Sequence, residues 1–182
     1  MAASADLARE RGSYPLFNGS DWQTGAYFEK RGYTDERWQA LAAQVAAGGL
    51  RNGYLFAVAP TGSTSVIAGT TASVDPVFRR VFTEEKRGMI VRQVGPGLGA
   101  DTWDLYTEAH DIDQRWSLKA AAARQRHIDQ SQSLNLYATR DLDEERFLDL
   151  YVDAWRLGLK TVYYFRNFDG EPEVEACAAC TA

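Results

Sequence analysis

Between Ser133 and Phe165 the chain reads strand, helix, strand, and this spacing constrains the fold more than any other feature of the sequence. Residues 133–138 (SLNLYA) and 160–165 (KTVYYF) are short apolar runs of strand type. Asp143, Glu144 and Glu145 open the helix between them, where acidic side chains meet the positive end of its dipole. Phe147, Leu148, Tyr151, Ala154 and Trp155 form its apolar side, and Gly158 ends it. A unit of this kind joins two parallel strands by a right-handed crossover. The expected fold class is therefore α/β with a largely parallel sheet.

Other elements follow from local signals. Residues 2–11 favour a short helix ended by Gly12. Residues 13–32, rich in Gly, Ser, Asn and aromatics, read as an irregular loop. Thr34 caps a helix with Asp35 and Glu36 in its first turn, Trp38, Leu41, Ala42 and Val45 at helical spacing, and a stop at Gly48 and Gly49. Residues 54–59 (YLFAVA) read as a strand buried on both faces. Residues 86–100, which hold Pro96 and four glycines, read as a connection. Asp101 or Thr102 caps a long helical region, one helix or two, carrying Trp103, Tyr106, Ala109, Ile112, Trp116 and Ala120 and running to Gln130. From Asp169 onward little can pack, and the tail is expected to be disordered. So few strands are few for an independent sheet covered on both faces, which points to a chain that completes a larger sheet.

The 182 residues, 45% apolar and 25% charged, suit one globular domain or a large piece of one. With 25 acidic and 20 basic residues the formal charge is −5, which disfavours nucleic acid and anionic membranes as partners. No apolar run reaches the roughly 18 residues of a membrane span. Residues 1–11 lack the basic start and apolar stretch of a signal peptide, so a cytoplasmic location is the default expectation.

Four places can carry chemistry. Pro60, Thr61, Gly62, Ser63, Thr64 and Ser65 follow the 54–59 run, at the strand edge where α/β folds bind ligands. Such a loop can surround phosphate oxygens with N–H and O–H donors, or it can be a simple turn; it has neither the Lys of a triphosphate loop nor a GxGxxG pattern. Tyr163 and Tyr164 are adjacent near the end of a strand, so one of them should face the core as a packing residue. His127, at the end of a helix, reads as a cap. Cys177 and Cys180 are the only cysteines, a CxxC pair that is either without role or a dithiol for thiol–disulfide exchange. With two cysteines and two histidines, His110 and His127, no metal site is expected.

Taken in order, these segments resemble the ribonucleotide reductase large subunit in its C-terminal half. The resemblance is carried by residues 59–71 (APTGSTSVIAGTT) with Asp75, Pro76, Val77 and Phe78, by 126–136 (RHIDQSQSLNL), by 158–164 (GLKTVYY) and by the terminal cysteine pair. Residues 11–17 (RGSYPLF) and 51–54 (RNGY) fit as well, so it covers nearly the whole chain.

The resemblance implies the C-terminal part of a ten-stranded α/β barrel, incomplete on its own, over residues 1–168, with a flexible redox tail at 169–182. It implies that Pro60, Thr61, Gly62, Ser63 and Thr64 hold the diphosphate of a nucleotide substrate. It implies that Tyr163 and Tyr164 relay a radical from a small (beta) subunit carrying an iron or manganese dimetal cofactor, with no cofactor bound by this chain. Cys177 and Cys180 would pass electrons from thioredoxin or glutaredoxin to an active-site disulfide. The family also needs a radical-forming cysteine and an active-site cysteine pair, yet no cysteine precedes Cys177. Nor does the sequence show an ATP-cone or the loops of an effector site, so nucleotide effectors belong to the missing part. The chain is expected to require the N-terminal half of a large subunit and to be inactive alone. Competing readings are a non-catalytic module that binds a partner subunit and a free-standing CxxC oxidoreductase.

Overall fold

Helix α1 (Ala2–Arg11) ends at Gly12, as its composition predicts, in a computed structural model that describes residues 1–86, 88–139, 142–167 and 175–176. The chain divides into two compact units, Met1–Ala57 with Arg126–Gln130, and Val58–Gln125 with the described residues from Ser131 onward.

In the first unit the segment expected to be an irregular loop holds two single-turn helices, α2 (Asp21–Thr24) and α3 (Ala26–Glu29). They form because the aromatics there need burial. Trp22 stacks on Tyr27 with ring centroids 3.4 Å apart, Phe28 packs edge-on against both, and the Trp22 indole donates to Gly53 O at 3.1 Å. Helix α4 (Glu36–Gly48) is capped by Asp35, one residue later than expected, whose carboxylate accepts the Trp38 amide at 3.0 Å. Its Trp38, Leu41, Ala42 and Val45 pack on this core, as their spacing predicts. Gly49 ends it at φ 84, and a Cβ there would lie 1.8 Å from Ser13 Oγ, so only glycine fits.

The run Tyr54 to Ala59 is not a strand buried on both faces. Its ladder contribution is a single parallel bridge from Val58 to Gln132, and Tyr54 and Phe56 are exposed. The reason is local: the Asp129 carboxylate takes the amides of Leu55 and Phe56, and Phe56 O accepts from Gln130 N. An apolar run whose amides are held by a side chain has no sheet to join.

The second unit holds α5 (Gly62–Ala68), a hairpin of β1 (Val81–Lys86) and β2 (Met89–Val94), then α6 (Gln114–Gln125), β3 (Leu136–Tyr137), α7 (Glu144–Arg156), β4 (Phe165–Arg166) and β5 (Glu175–Ala176). The expected unit is present: β3, α7 and β4 follow one another, and β3 pairs parallel with β4, Leu136 opposite Phe165 and Tyr137 opposite Arg166. Both strands are shorter than the apolar runs that announce them. Asp143 caps α7 by accepting the Arg146 amide at 2.8 Å.

Three expectations fail here. Residues 86–100 are not a plain connection: β1 and β2 pair antiparallel from Val81↔Val94 to Lys86↔Met89, so the most extensive pairing is not parallel, although β1 also pairs parallel with β5. The long helical region before Gln130 is broken up: two 3-10 turns, Trp103–Leu105 and Ala109–Asp111, precede one regular helix, α6, which stops at Gln125. The apolar side of α7 is rotated from the one expected. Leu150 and Ala154 enter a core with Leu118, Ala121, Leu134 and Leu136, whereas Leu148 and Trp155 are 62% and 77% exposed. Among the described residues no helix is long and apolar enough to cross a membrane.

Candidate functional site

The second unit gathers the candidate residues along one segment, 131–138. Its side chains alternate. Leu134 and Leu136 face the apolar core, while Ser133, Asn135 and Tyr137 are buried on the other side. Asp75 meets that polar side. Its carboxylate accepts from the Asn135 side-chain amide, from the Tyr137 hydroxyl at 3.2 Å and from the Asn135 main-chain N–H at 3.4 Å. Burial pushes the Asp75 carboxyl above the usual carboxylate range, against these hydrogen bonds and the charge of Arg166.

The loop expected at residues 60–65 is largely helical. Thr61 precedes α5, and Gly62, Ser63, Thr64 and Ser65 form its start. Pro60, Thr61, Gly62, Ser63 and Thr64 are all exposed. Ser65 is instead buried and donates to Gly62 O at 3.0 Å. Thr61 Oγ1 accepts the Ser73 amide at 2.8 Å, and Ser73 Oγ donates to Ser133 O at 2.5 Å.

Tyr163 and Tyr164 sit just before β4. Neither is a core residue, contrary to the expectation for one of them: they are 49% and 45% exposed. Off a regular strand they need not diverge, and their rings lie 4.1 Å apart between centroids at 52°. Donation of its hydroxyl proton toward Tyr164 is the main cause that raises the Tyr163 phenol above its ordinary value, with the Tyr164 charge and slight desolvation adding to it.

Backbone register relates these tyrosines to the loop. Val58 pairs with Gln132 and Leu136 with Phe165. On the β3–β4 side the pairing continues one step further, where Leu134 O accepts the Tyr163 amide at 2.8 Å, while past the Val58 bridge the Asn135 amide goes to Asp75. The 131–138 segment thus has the chain leading into the loop bridged to it at Gln132 and the tyrosine pair bonded to it at Leu134. Cys177 and Cys180 lie outside the described residues. His127, in the first unit, is not a helix cap: its Nδ1 shares a 2.5 Å hydrogen bond with the Tyr33 hydroxyl, and the two rings stack.

Sequence reasoning quotes Asp75, Asn135 and their neighbours but assigns them no contact, and it passes over Ser73. A signal was available in part. Asp75 precedes Pro76 and Asn135 stands in an otherwise apolar run, and a polar residue in such a run needs a partner.

A loop leaving the carboxyl end of one parallel segment, beside paired strands with a helix between them, marks an α/β domain with its binding edge at the strand ends. The chain belongs to the ribonucleotide reductase barrel-domain family, whose family model, described as "Ribonucleotide reductase, barrel domain", matches residues 1–165. It is 55% identical over 182 residues to the alpha subunit of ribonucleoside-diphosphate reductase from Treponema pallidum (strain Nichols), covering 100% of this chain and 21% of that protein. The corresponding subunit of Helicobacter pylori (strain ATCC 700392 / 26695) is 40% identical over 178 residues, 90% of this chain and 23% of the relative. That of Bacillus subtilis (strain 168) is 34% identical over 203 residues, 97% of this chain and 28% of the relative. The chain therefore spans between a fifth and three tenths of the length of these relatives.

Proposed function

We propose that this chain is the C-terminal part of a ribonucleoside-diphosphate reductase large subunit, contributing the last portion of a ten-stranded barrel, and that it reduces ribonucleotides only when joined to the rest. The observation that carries this reading is 55% identity over all 182 residues to a relative of that name, of which the chain spans 21%. The radical-forming cysteine and the active-site pair come from the N-terminal part, since Cys177 is the first cysteine here. Large apolar side chains left in water, among them Ile67, Leu105 and Trp155, fit a chain that buries surface against that part.

In the assembled enzyme Pro60, Thr61, Gly62, Ser63 and Thr64 hold the substrate diphosphate. Their amides and hydroxyls fix the ribose in place, and exclusion of water strengthens each contact with the anion. Tyr163 and Tyr164 relay the radical. When one is a phenoxyl, the other gives up its hydroxyl proton and one electron, which restores the first phenol and leaves the second as the radical. Their rings lie 4.1 Å apart between centroids, which keeps that transfer to one short step. The small subunit supplies the radical from its dimetal centre. Cys177 and Cys180 reduce the active-site disulfide by thiol–disulfide exchange, become a disulfide themselves, and are reduced in turn by thioredoxin or glutaredoxin. The assembly works in the cytoplasm, where such reductants keep thiols reduced.

Mixing the chain with the remainder of a large subunit and a small subunit is expected to restore deoxynucleotide formation. Tyr163→Phe or Tyr164→Phe should then stop turnover, and Cys177→Ser with Cys180→Ser should permit one reduction but not sustained turnover on thioredoxin. Tight binding of the small subunit with no product under any of these mixtures would replace this reading with a non-catalytic, partner-binding one.

A further inference from the structure

We propose that Ser73 is a positioning residue for the diphosphate loop, setting the Thr61 hydroxyl as a donor toward the bound anion. The inference rests on the reading of residues 60–64 as that loop and adds to it a residue outside the loop.

The observations are local and mutually consistent. Thr is a residue type that caps helices through its side chain. Thr61 precedes α5 yet makes no side-chain cap. Its Oγ1 instead accepts the Ser73 amide at 2.8 Å. A hydroxyl that accepts in this way keeps one proton to give, and that proton has to point away from the amide it accepts. Thr61 is exposed, so the proton is available to a phosphate oxygen.

Ser73 is held rigidly to do this. Its φ is 51°, in the left-handed region that a side chain ordinarily avoids. Two anchors retain it. Its own Oγ donates to Ser133 O at 2.5 Å, and two residues later Asp75 is fixed by Asn135 and Tyr137. Ser73 is therefore a strut from the 131–138 segment to Thr61. The residue next to Ser133 on the same segment, Leu134, is the backbone partner of Tyr163.

The test uses the large subunit assembled from this chain and its remainder, with inorganic pyrophosphate as the calorimetric probe and nucleoside diphosphate kinetics beside it. Ser73→Gly keeps the positive φ and the amide but removes the anchor to Ser133. It is expected to weaken pyrophosphate binding about five-fold, the loss of one net hydrogen bond, and to raise KM by about the same factor with kcat unchanged. Thr61→Val should weaken binding too, and adding Ser73→Gly to it should cost nothing further, because the strut acts through Thr61. Ser63→Ala with Thr64→Ala tests the loop reading separately and should abolish most binding. If that double variant weakens binding while Ser73→Gly binds as wild type, or if Ser73→Gly and Thr61→Val are additive, the strut is overturned and the loop stands. If Ser73→Gly lowers kcat and leaves KM alone, its role is not positioning of the diphosphate. If neither the loop nor the strut variants alter binding, the loop reading itself falls.

Discussion

The Asp129 carboxylate accepts the main-chain amide of Phe56 at 2.8 Å, and its second oxygen accepts the neighbouring Leu55 amide at the same distance. One buried side chain thus replaces the strand that would otherwise satisfy this run. Asp129→Ala leaves both amides unpaired and is expected to destabilise the chain by about 2–4 kcal/mol in urea denaturation. Asp129→Asn keeps one acceptor oxygen and should cost less. Equal, small losses for both variants would mean that the run is held by something else.

Asp75 should give stability a distinctive pH dependence. Burial raises its carboxyl above the ordinary range, so at intermediate pH the folded state holds more of this proton than the unfolded state does. Stability from this group therefore falls as pH rises from the ordinary carboxylate range through the raised value, and it is recovered on acidification. Asp75→Asn has no such proton. Measured against that variant, the wild-type chain should gain relative stability as pH falls from about 7.5 to about 4.5. Taking the difference cancels carboxylates common to both. A relative stability that is flat, or that moves the other way, would show Asp75 to be ionised throughout.

These two carboxylates also show what one sequence can and cannot disclose. The extents of helices α1, α4 and α7 are legible because their start and stop signals are local, as in Asp143 three residues before Arg146, whereas the buried face of α7 is not, because the core it meets selects Leu150 over Leu148. The pairing of β3 with β4 was legible because a helix of that length leaves few other connections. The run at 54–59 was misread because its fate is decided by Asp129, far away in the chain, and an apolar run carries no mark of that. The hairpin strand Met89–Val94 was hidden by the glycines around it. For the site, the loop and the tyrosine pair stood out as motifs. Ser73 did not, since its significance lies in two hydrogen bonds and a positive φ that no residue type announces.

The tyrosine pair predicts a titration. The Tyr163 phenol lies above its ordinary value chiefly through its hydrogen bond with Tyr164, and next through the charge that Tyr164 would bear. Tyr164→Phe removes both, so Tyr163 should ionise at lower pH in that variant than in the wild-type chain. Ultraviolet phenolate absorbance, or carbon NMR of labelled tyrosine, reads this directly. An unchanged Tyr163 midpoint would mean that the two hydroxyls do not interact in solution, and the proposed relay between them would lose that support.

Helix α7 offers a stability contrast that separates its two apolar stripes. Leu150 is 6% exposed and packs with Leu118, Leu134 and Leu136, so Leu150→Ala opens a cavity and should cost about 2–4 kcal/mol. Leu148, two residues away and apolar to the same degree, is 62% exposed. Leu148→Ala removes little buried surface, and alanine favours the helix, so the change should stay within about 0.5 kcal/mol. The same holds for Trp155→Ala, which loses a large ring that is 77% exposed. Denaturation of the three variants measures the contrast. If Leu148→Ala or Trp155→Ala destabilised the chain as strongly as Leu150→Ala, α7 would be rotated so that the stripe inferred from the sequence faces the core.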